Sequence, residues 1–322
     1  VLVKSDKASY NNQKKLSIYQ GSVEITKGPG RMKADRIEGI NDDSGQGFKS
    51  IAATGSVVFD IEEKQGCAQR VYYYGGSAVL PKEKKEEKPD SAKRLHLFEK
   101  MVKKILPLPA EDFERMIMEI NPKIAQEGNL VLGDWMRYIR LLDVLEVYGN
   151  VFVHYRSTAR DKDRKRSRTG KKADTGKKPK GKEVSTYIYA DNAIFYRSVH
   201  QVFFYGKIKV YREGMTLRAK RMTAYLDEGM KKLDRLVADR NVDVRWENRH
   251  LTAGKGVFYE RKQKLVLTDH PVAVQGRSKM TGFKMVYDLA NDLVTVQKAY
   301  STINPKDFNK RKSAGGNQSE RK

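Results

Sequence analysis

Residues 54–60 read TGSVVFD, a glycine-led phrase in which Val57 and Phe59 lie two apart and so share one face of a strand. The phrase recurs. GSVEI begins at Gly21, GSVVF at Gly55, GNVFV at Gly149, GKIKV at Gly206, RNVDV at Arg240 and HPVAV at His270. The copies at 21 and 55, and at 206 and 240, stand 34 residues apart, and those at 240 and 270 stand 30 apart. The interval of 57 from Gly149 to Gly206 becomes 30 once the 27 residues 157–183 are set aside as an insertion. A fixed rhythm of this kind is the mark of a repeat architecture.

Two further phrases interlock with the first. MKADRIEGI at Met32, LGDWMRYI at Leu132, LRAKRMTAY at Leu217 and MTGFKMVY at Met280 each put a small residue ahead of a Met or Ile. KASYNNQKKLSI at Lys7, NAIFYRSVHQVFF at Asn192 and KGVFYERKQKLVL at Lys255 each end one strand on an aromatic, turn through polar residues and begin another. All alternate apolar with polar residues and are bounded by Gly, Asn, Asp or Lys, the pattern of short antiparallel strands. Such a unit buries its apolar face only by stacking on its neighbours, which leaves an elongated sheet with open ends. Unpaired strand edges there invite a further strand, so end-to-end association with another copy or another protein is expected.

The interval of 94 from Gly55 to Gly149 breaks the rhythm. It contains KEKKEEKPD, then Leu95, Phe98, Val102 and Ile105 at helical spacing from about Ser91, then Phe113, Met116, Ile117 and Ile120 after LPLPAED. The spacing predicts a helical hairpin preceded by a charged linker.

The 322 residues carry 64 Lys+Arg against 40 Asp+Glu, a formal net charge of +24, so an anionic partner must be considered. The excess is uneven: residues 156–183 hold 13 basic and 4 acidic side chains, and residues 301–322 hold 6 and 2. Both segments are almost without apolar residues and are predicted to be disordered. The run RDKDRKRSRTGKKADTGKKPKGK, residues 160–182, would release counterions on binding a polyanion, but it has no aromatic to stack on a base, which disfavours nucleic acid.

One cysteine, Cys67, excludes an intramolecular disulfide and a multi-cysteine zinc site. The five histidines, His96, His154, His200, His250 and His270, have no metal-ligand spacing, and neither a Gly-x-Ser-x-Gly elbow nor a phosphate-cradling Gly-x-x-x-x-Gly-Lys is present. No metal, cofactor or catalytic residue is therefore expected. Trp135 and Trp246 lie in strand phrases and read as packing residues, and Gly28-Pro29-Gly30 reads as a turn. No apolar run is long enough for a membrane helix. The chain begins VLVKSDKASY, without a methionine or a signal-peptide pattern, and a leader or anchor is expected upstream.

KASYNNQKKLSIYQGSVEITKGPGRMKADRI, YADNAIFYRSVHQVFFYGKIKVYREGMTLRAKRMTAY and LTAGKGVFYERKQKLVLTDHPVAVQGRSKMTGFKMVY together resemble the OstA-like/LptA repeats of lipopolysaccharide transport. Those repeats run through A-x-x-A-x-Y, a G-N-V-x-V strand and A-D-x-M-x-Y, and the likeness covers residues 4–80 and 130–297. Gly149-Asn150-Val151 followed by Val153 is the best single match, whereas the copies at 240 and 270 lack the glycine. The resemblance implies an all-β, elongated, open β-jellyroll whose apolar interior receives acyl chains. It also implies a periplasmic, non-enzymatic carrier of lipopolysaccharide or lipid A, joined edge to edge to other lipopolysaccharide-transport proteins or to a second copy.

On this reading residues 1–81 hold the first repeats, 82–128 a charged linker and helical insertion, and 129–156 continuing strands; residues 157–183 form a basic loop, 184–300 further repeats and 301–322 a basic tail. The lipid-facing residues expected are Val23, Ile25, Met32, Val57, Phe59, Val151, Val153, Ile208, Val210, Met222, Val242, Val244, Val272, Val274 and Met285. Arg160, Arg164, Lys165, Arg166 and Arg168 are candidates for contact with anionic headgroups. Two alternatives stay open: a docking scaffold with a packed interior, and a polyanion-binding module in which the sheet only carries the basic loop.

Overall fold

The computed structural model describes residues 1–42, 47–61, 64–75, 114–126, 128–158, 183–230 and 232–302. Among these, regular structure is strand throughout apart from a 3-10 turn at Arg197–Val199. The chain opens with β1 (Leu2–Lys4), β2 (Lys7–Asn11), β3 (Leu16–Lys27), β4 (Gly30–Asn41), β5 (Phe48–Ile61) and β6 (Lys64–Tyr74). After an insertion come β7 (Arg115–Glu119), β8 (Lys123–Gln126), β9 (Asn129–Leu132), β10 (Trp135–Ile139) and β11 (Val144–Thr158). A second insertion precedes β12 (Glu183–Tyr196), β13 (Gln201–Arg212), β14 (Met215–Leu226), β15 (Leu233–Trp246) and β16 (Arg249–Tyr259). Six short strands finish the described chain: β17 (Lys264–Thr268), β18 (Val272–Gln275), β19 (Ser278–Thr281), β20 (Lys284–Asp288), β21 (Leu293–Gln297) and β22 (Tyr300–Thr302).

The long strands bend in the middle. In β3–β4 the register shifts between Gln20 and Val23, in β5–β6 between Thr54 and Val57, in β11–β12 between Tyr148 and Val151, and in β15–β16 between Asp239 and Val242. A bulge of this kind turns the strand and raises its twist. Each long strand therefore crosses from one wall of the sheet to the other, and the short strands do the same in pairs. The pair β7 and β8 meets β6 at residues 70–74 and 65–67, on either side of its bend. The pair β17 and β18 likewise meets β16 on either side of its bend. We call the wall holding residues 23–27, 57–61, 151–155 and 208–212 wall I, and the wall holding 16–20, 48–54, 144–148 and 201–205 wall II. Together they make an open all-β jellyroll in antiparallel register.

The glycine of the opening phrase sits at these bends. Gly55 has φ 97° and Gly149 φ 71°, a left-handed conformation in which a side chain is strained. A carboxylate from the preceding crossing fills the space a Cβ would take: it would lie 2.1 Å from Asp35 Oδ2 at Gly55 and 2.2 Å from Asp134 Oδ2 at Gly149. The Ser56 amide donates to Asp35 at 3.1 Å and the Asn150 side-chain amide to Asp134 at 2.9 Å. These are the aspartates of KADRI and LGDWM, so the two recurring phrases lock the same corner. Small residues sit inside the corner, where the walls converge: Ala34, Ala53, Ala68, Ala193, Ala219, Ala238 and Ala253 are all buried.

Inward-facing residues form one continuous core running through both ends of the trough, from Val23 and Ile25 to Met285 and Tyr287. A second, smaller core lies on the outer face of wall II, built by Tyr74, Ile117, Trp135, Val144, Tyr148 and Ile194. Here Arg137 and Glu146 form a buried ion pair at 2.6 Å, and the Arg115 guanidinium lies 4.6 Å from the Tyr74 ring centre. Trp135 and Trp246 are packing residues, Trp135 in this outer core and Trp246 against the inner one.

The outer core corrects one expectation. The stretch RMIME at Arg115–Glu119 is strand β7, not a helix, and Met116, Ile117 and Met118 are all buried because wall II is covered on both faces at this point. Ile120 is exposed, at φ 62° in the turn that follows. Residues 123–126 are also strand. The helical face expected on Leu95, Phe98, Val102 and Ile105, the linker before it and Phe113 lie outside the described residues, as do the basic residues 160–182 and residues 303–322. The edges of two expected loops shift slightly, since Ser157, Thr158 and Glu183 extend β11 and β12, and Ser301 and Thr302 close β22.

Candidate functional site

In the first half of the trough the two walls stand apart. Between them lies a slot of about 500 Å³, lined from wall I by Ile25, Met32, Phe59, Ile124, Val131 and Val153, and from wall II by Ile51, Met116, Met118, Tyr138, Leu145 and Phe195. The slot follows from alternation: the side chains that point away from water on each wall face each other across a gap that they do not fill. It opens at the free margins of the walls, the ends of the strands farthest from the bends.

Those margins are charged. The margin of wall I brings Lys27 and Arg31, from the Gly28-Pro29-Gly30 turn, and Lys64, from the start of β6. The margin of wall II brings Glu114, Arg140 and Arg197. Glu114 is the only carboxylate of the described lining; it accepts from the Tyr73 hydroxyl at 2.7 Å and from Arg140 Nη1 at 3.0 Å. Burial pushes the Glu114 carboxyl up, but those two hydrogen bonds and the charges of Arg140 and Lys27 outweigh it and hold the group below its ordinary value. Burial, then the bond to Glu114, pushes the Tyr73 phenol well up. Arg31 is held by Glu24 at 2.5 Å and Arg197 by Asp143 at 3.7 Å. The Lys64 ammonium reaches across the opening to lie 5.0 Å from the Tyr138 ring centre.

The second half of the trough is shut. Arg212, at the margin of wall I, pairs with Glu260, at the margin of wall II, at 2.5 Å, and also donates to Thr186 Oγ1 at 2.6 Å. Arg249 of wall I pairs across the same opening with Asp292 of wall II at 2.5 Å. Behind these bridges Phe204, Leu217, Met222, Leu236, Leu265 and Leu267 fill the interior, and a smaller cavity of about 230 Å³ lies beside Arg212, lined by Met215, Trp246, Phe258 and Leu289.

The expected lipid-facing residues therefore divide. Ile25, Met32, Phe59 and Val153 line the slot. Val23, Val57, Val151, Ile208, Val210, Met222, Val242, Val244 and Met285 point inward and are buried in the core but do not reach it. Val272 and Val274 face the other way. Their register partners are Thr252 and His250, while Ala273 pairs with the buried Leu251 and packs on the core. The reason is local: the left-handed pair at this bend is Asp269–His270, whereas in the preceding copy it is Arg240–Asn241, so the copy begins at Asp269 and Pro271 and Ala273 take the inward places. Arg160, Arg164, Lys165, Arg166 and Arg168 lie outside the described residues. Lys27, Arg31, Lys64, Arg140 and Arg197, none of them singled out in the sequence, line the slot and sit at or beside strand ends. No group of three or more metal-ligating side chains occurs among the described residues.

Two antiparallel walls that face each other across an apolar slot define an open β-jellyroll. The family model of the LptA/(LptD N-terminal domain) LPS transport protein matches residues 2–84 and 187–292, more than half of the chain. The chain belongs to that family of lipopolysaccharide-transport proteins. Among solved structures it is similar to LptH of Pseudomonas aeruginosa, described as the LptA-homologous periplasmic component of the conserved lipopolysaccharide transport device. That likeness is at 15% identity and a TM-score of 0.35, covering 37% of this chain and 95% of LptH. No curated protein matches the chain.

Proposed function

We propose that this chain is a non-enzymatic periplasmic carrier of lipopolysaccharide, and that it shelters acyl chains between the two walls of its first half. The observation that carries the reading is the slot of about 500 Å³, apolar within and open along one margin. Each methylene moved from water into such a place contributes roughly 0.8 kcal/mol, so about ten carbons of an acyl chain would contribute roughly 8 kcal/mol. A slot open along its side lets the chain slide out lengthwise without first leaving the apolar surface. Displacement of a fluorescent lipid by lipid A, or native mass spectrometry of the mixture, tests the reading; a folded chain that binds no acylated ligand ends it.

The closed second half favours a second role for that region, a rigid spacer that presents a strand edge. Among the described residues β22 pairs only with β19 and is exposed throughout, and at the opposite end β2 pairs only with β3 and is exposed throughout. Such edges suit strand addition by other lipopolysaccharide-transport proteins or by a second copy. Crosslinking through cysteines placed at Ser9 and Ser301 tests this, a chain that stays monomeric and uncoupled at all concentrations being the contrary result.

A further inference from the structure

We propose that the outer face of wall I, where β11–β14 cross it, docks on an anionic phospholipid surface, with a cluster of aromatic side chains at headgroup level and cations beside it over the lipid phosphates. This face lies on the side of the sheet away from the slot. It does not depend on what the slot holds.

Alternation builds the cluster. Val151, Val153, Ile188 and Val210 point into the trough, so the residues between them point outward. Register then gathers them: Phe152 lies opposite Tyr189, His154 opposite Tyr187, and Tyr187 opposite Tyr211. Tyr187 and Tyr189 are 38% and 43% exposed. The other exposed aromatics among the described residues, Tyr10, Phe283 and Tyr300, stand on end strands or between strands. An apolar patch kept exposed in the middle of a sheet marks an interaction surface.

Two features set the kind of partner. The first is that the rings use their faces on one another: His154 and Tyr187 stack at 4.7 Å with planes 15° apart, and Phe152 and Tyr187 lie at 6.3 Å and 21°. Lys209 Nζ is 4.8 Å from the centre of the Tyr211 ring. A nucleobase needs a ring face to stack on, and these faces are engaged. A headgroup layer asks instead for amphipathic rings with a polar tip, which is why tyrosine gathers at membrane interfaces. The second feature is charge. Lys209 continues the row of Phe152 and Tyr189, Arg218 follows it, and Arg245 stands in the neighbouring row. The acid of these rows is Asp243, which already holds Arg245 at 3.6 Å and His250 at 2.6 Å. Each cation brought to an anionic lipid surface strengthens binding about fivefold. On the outer face of wall II, β14 and β15 instead pair a cation with an acid, Arg221 with Asp239.

The test is co-sedimentation of the full chain with vesicles of phosphatidylcholine, alone or mixed with an equal part of phosphatidylglycerol. The docking face requires partition into the anionic vesicles about tenfold above the neutral ones at low salt, a preference that falls as sodium chloride is raised. Tyr187→Ser/Tyr189→Ser and Lys209→Glu/Arg218→Glu should each weaken that partition about tenfold. Lys232→Glu/Lys255→Glu, the same change of net charge at exposed residues elsewhere, should stay within about threefold of the natural chain. Val153→Trp, which fills the slot, should partition as the natural chain does. In Tyr189→Trp the new indole should shift its emission to the blue on binding and be quenched by acyl-brominated lipid. Urea midpoints confirm that the variants fold. Equal partition into the two kinds of vesicle, undiminished partition of the tyrosine variant, or an indole that stays in water overturns the docking face. Equal losses in the two charge variants also overturn it, leaving only the net charge of the chain as the cause. Loss of partition in Val153→Trp overturns it in favour of vesicle lipid held in the slot.

Discussion

The two halves of this trough are built from the same phrases, bend at the same kind of corner and share one core, yet one is open and the other sealed. Their difference lies at the margins. In the sealed half Arg212 and Glu260 are both largely buried and bridge the walls, beside a cavity of about 230 Å³ lined by Met215, Trp246 and Phe258. In the open half the corresponding places hold cations on both sides, and the apolar side chains below, Ile25, Met32 and Phe59 against Met116 and Tyr138, stop short of meeting. A shared backbone thus encloses a slot of about 500 Å³ in one half and a cavity of about 230 Å³ in the other.

The largest effect should come from breaking the seal. Glu260→Ala leaves Arg212 buried without its carboxylate and should destabilise the chain by about 3–5 kcal/mol, read as a shift in urea midpoint. The companion Arg212→Met/Glu260→Leu removes both charges and should lie within about 1–2 kcal/mol of the natural chain. If the single and double variants are equally unstable, the bridge is not what closes that half.

Bulk placed inside should separate the halves next. Val210→Trp, in the packed half, should lower stability by about 1–3 kcal/mol through overpacking and leave lipid affinity alone. Val153→Trp, in the slot, has room for the added ring; it should be nearly neutral for stability and weaken lipid-probe binding by about tenfold or more, since several methylenes lose their place. An exchange of these two outcomes would mean that the slot is misassigned.

A corner substitution comes third. Gly55→Ala puts a methyl group where the Asp35 carboxylate sits and in a left-handed conformation, and should destabilise by about 1–3 kcal/mol. Gly214 also has a left-handed φ, of 78°, but nothing lies within 4 Å of its absent Cβ, so Gly214→Ala should show the backbone strain alone. Thermal unfolding of the pair separates strain from crowding.

The smallest expected effect is a pH dependence at the margin. Glu114 is held below its ordinary 4.5, so its ionised, hydrogen-bonded form adds stability that is present above that value and is lost as pH falls through the lower folded-state one. Partial exposure keeps this to a fraction of a kcal/mol. Between pH 6 and pH 3, Glu114→Gln should therefore lose slightly less stability than the natural chain, and an identical pH slope in the two would remove Glu114 from that role.

Much of the fold was legible because strands that face a core on one side and water on the other alternate with period two. GSVVF, GNVFV, GKIKV and RNVDV place Val57 and Phe59, Val151 and Val153, Ile208 and Val210, and Val242 and Val244 inward as read. Where that condition fails, so does the reading. RMIME has no alternation because wall II is covered on both faces there, and three consecutive apolar residues then fit a helical period as well as a strand. HPVAV was displaced by one residue because the valines resemble the other copies while the left-handed backbone pair, Asp269–His270, starts one residue earlier. A slip of one residue in a strand exchanges its faces.

By itself the sequence determined the class of fold, since the repeat interval, the glycine at four of the six recurring bends and the alternating strands are local properties that each segment carries alone. It determined in the same way which family the chain belongs to. Only the tertiary structure decided where the interior is empty. A void depends on how far apart two walls stand, and in the closed half that is set by Arg212 meeting Glu260, 48 residues away. Contacts between residues so distant in the chain leave no periodic trace within either segment.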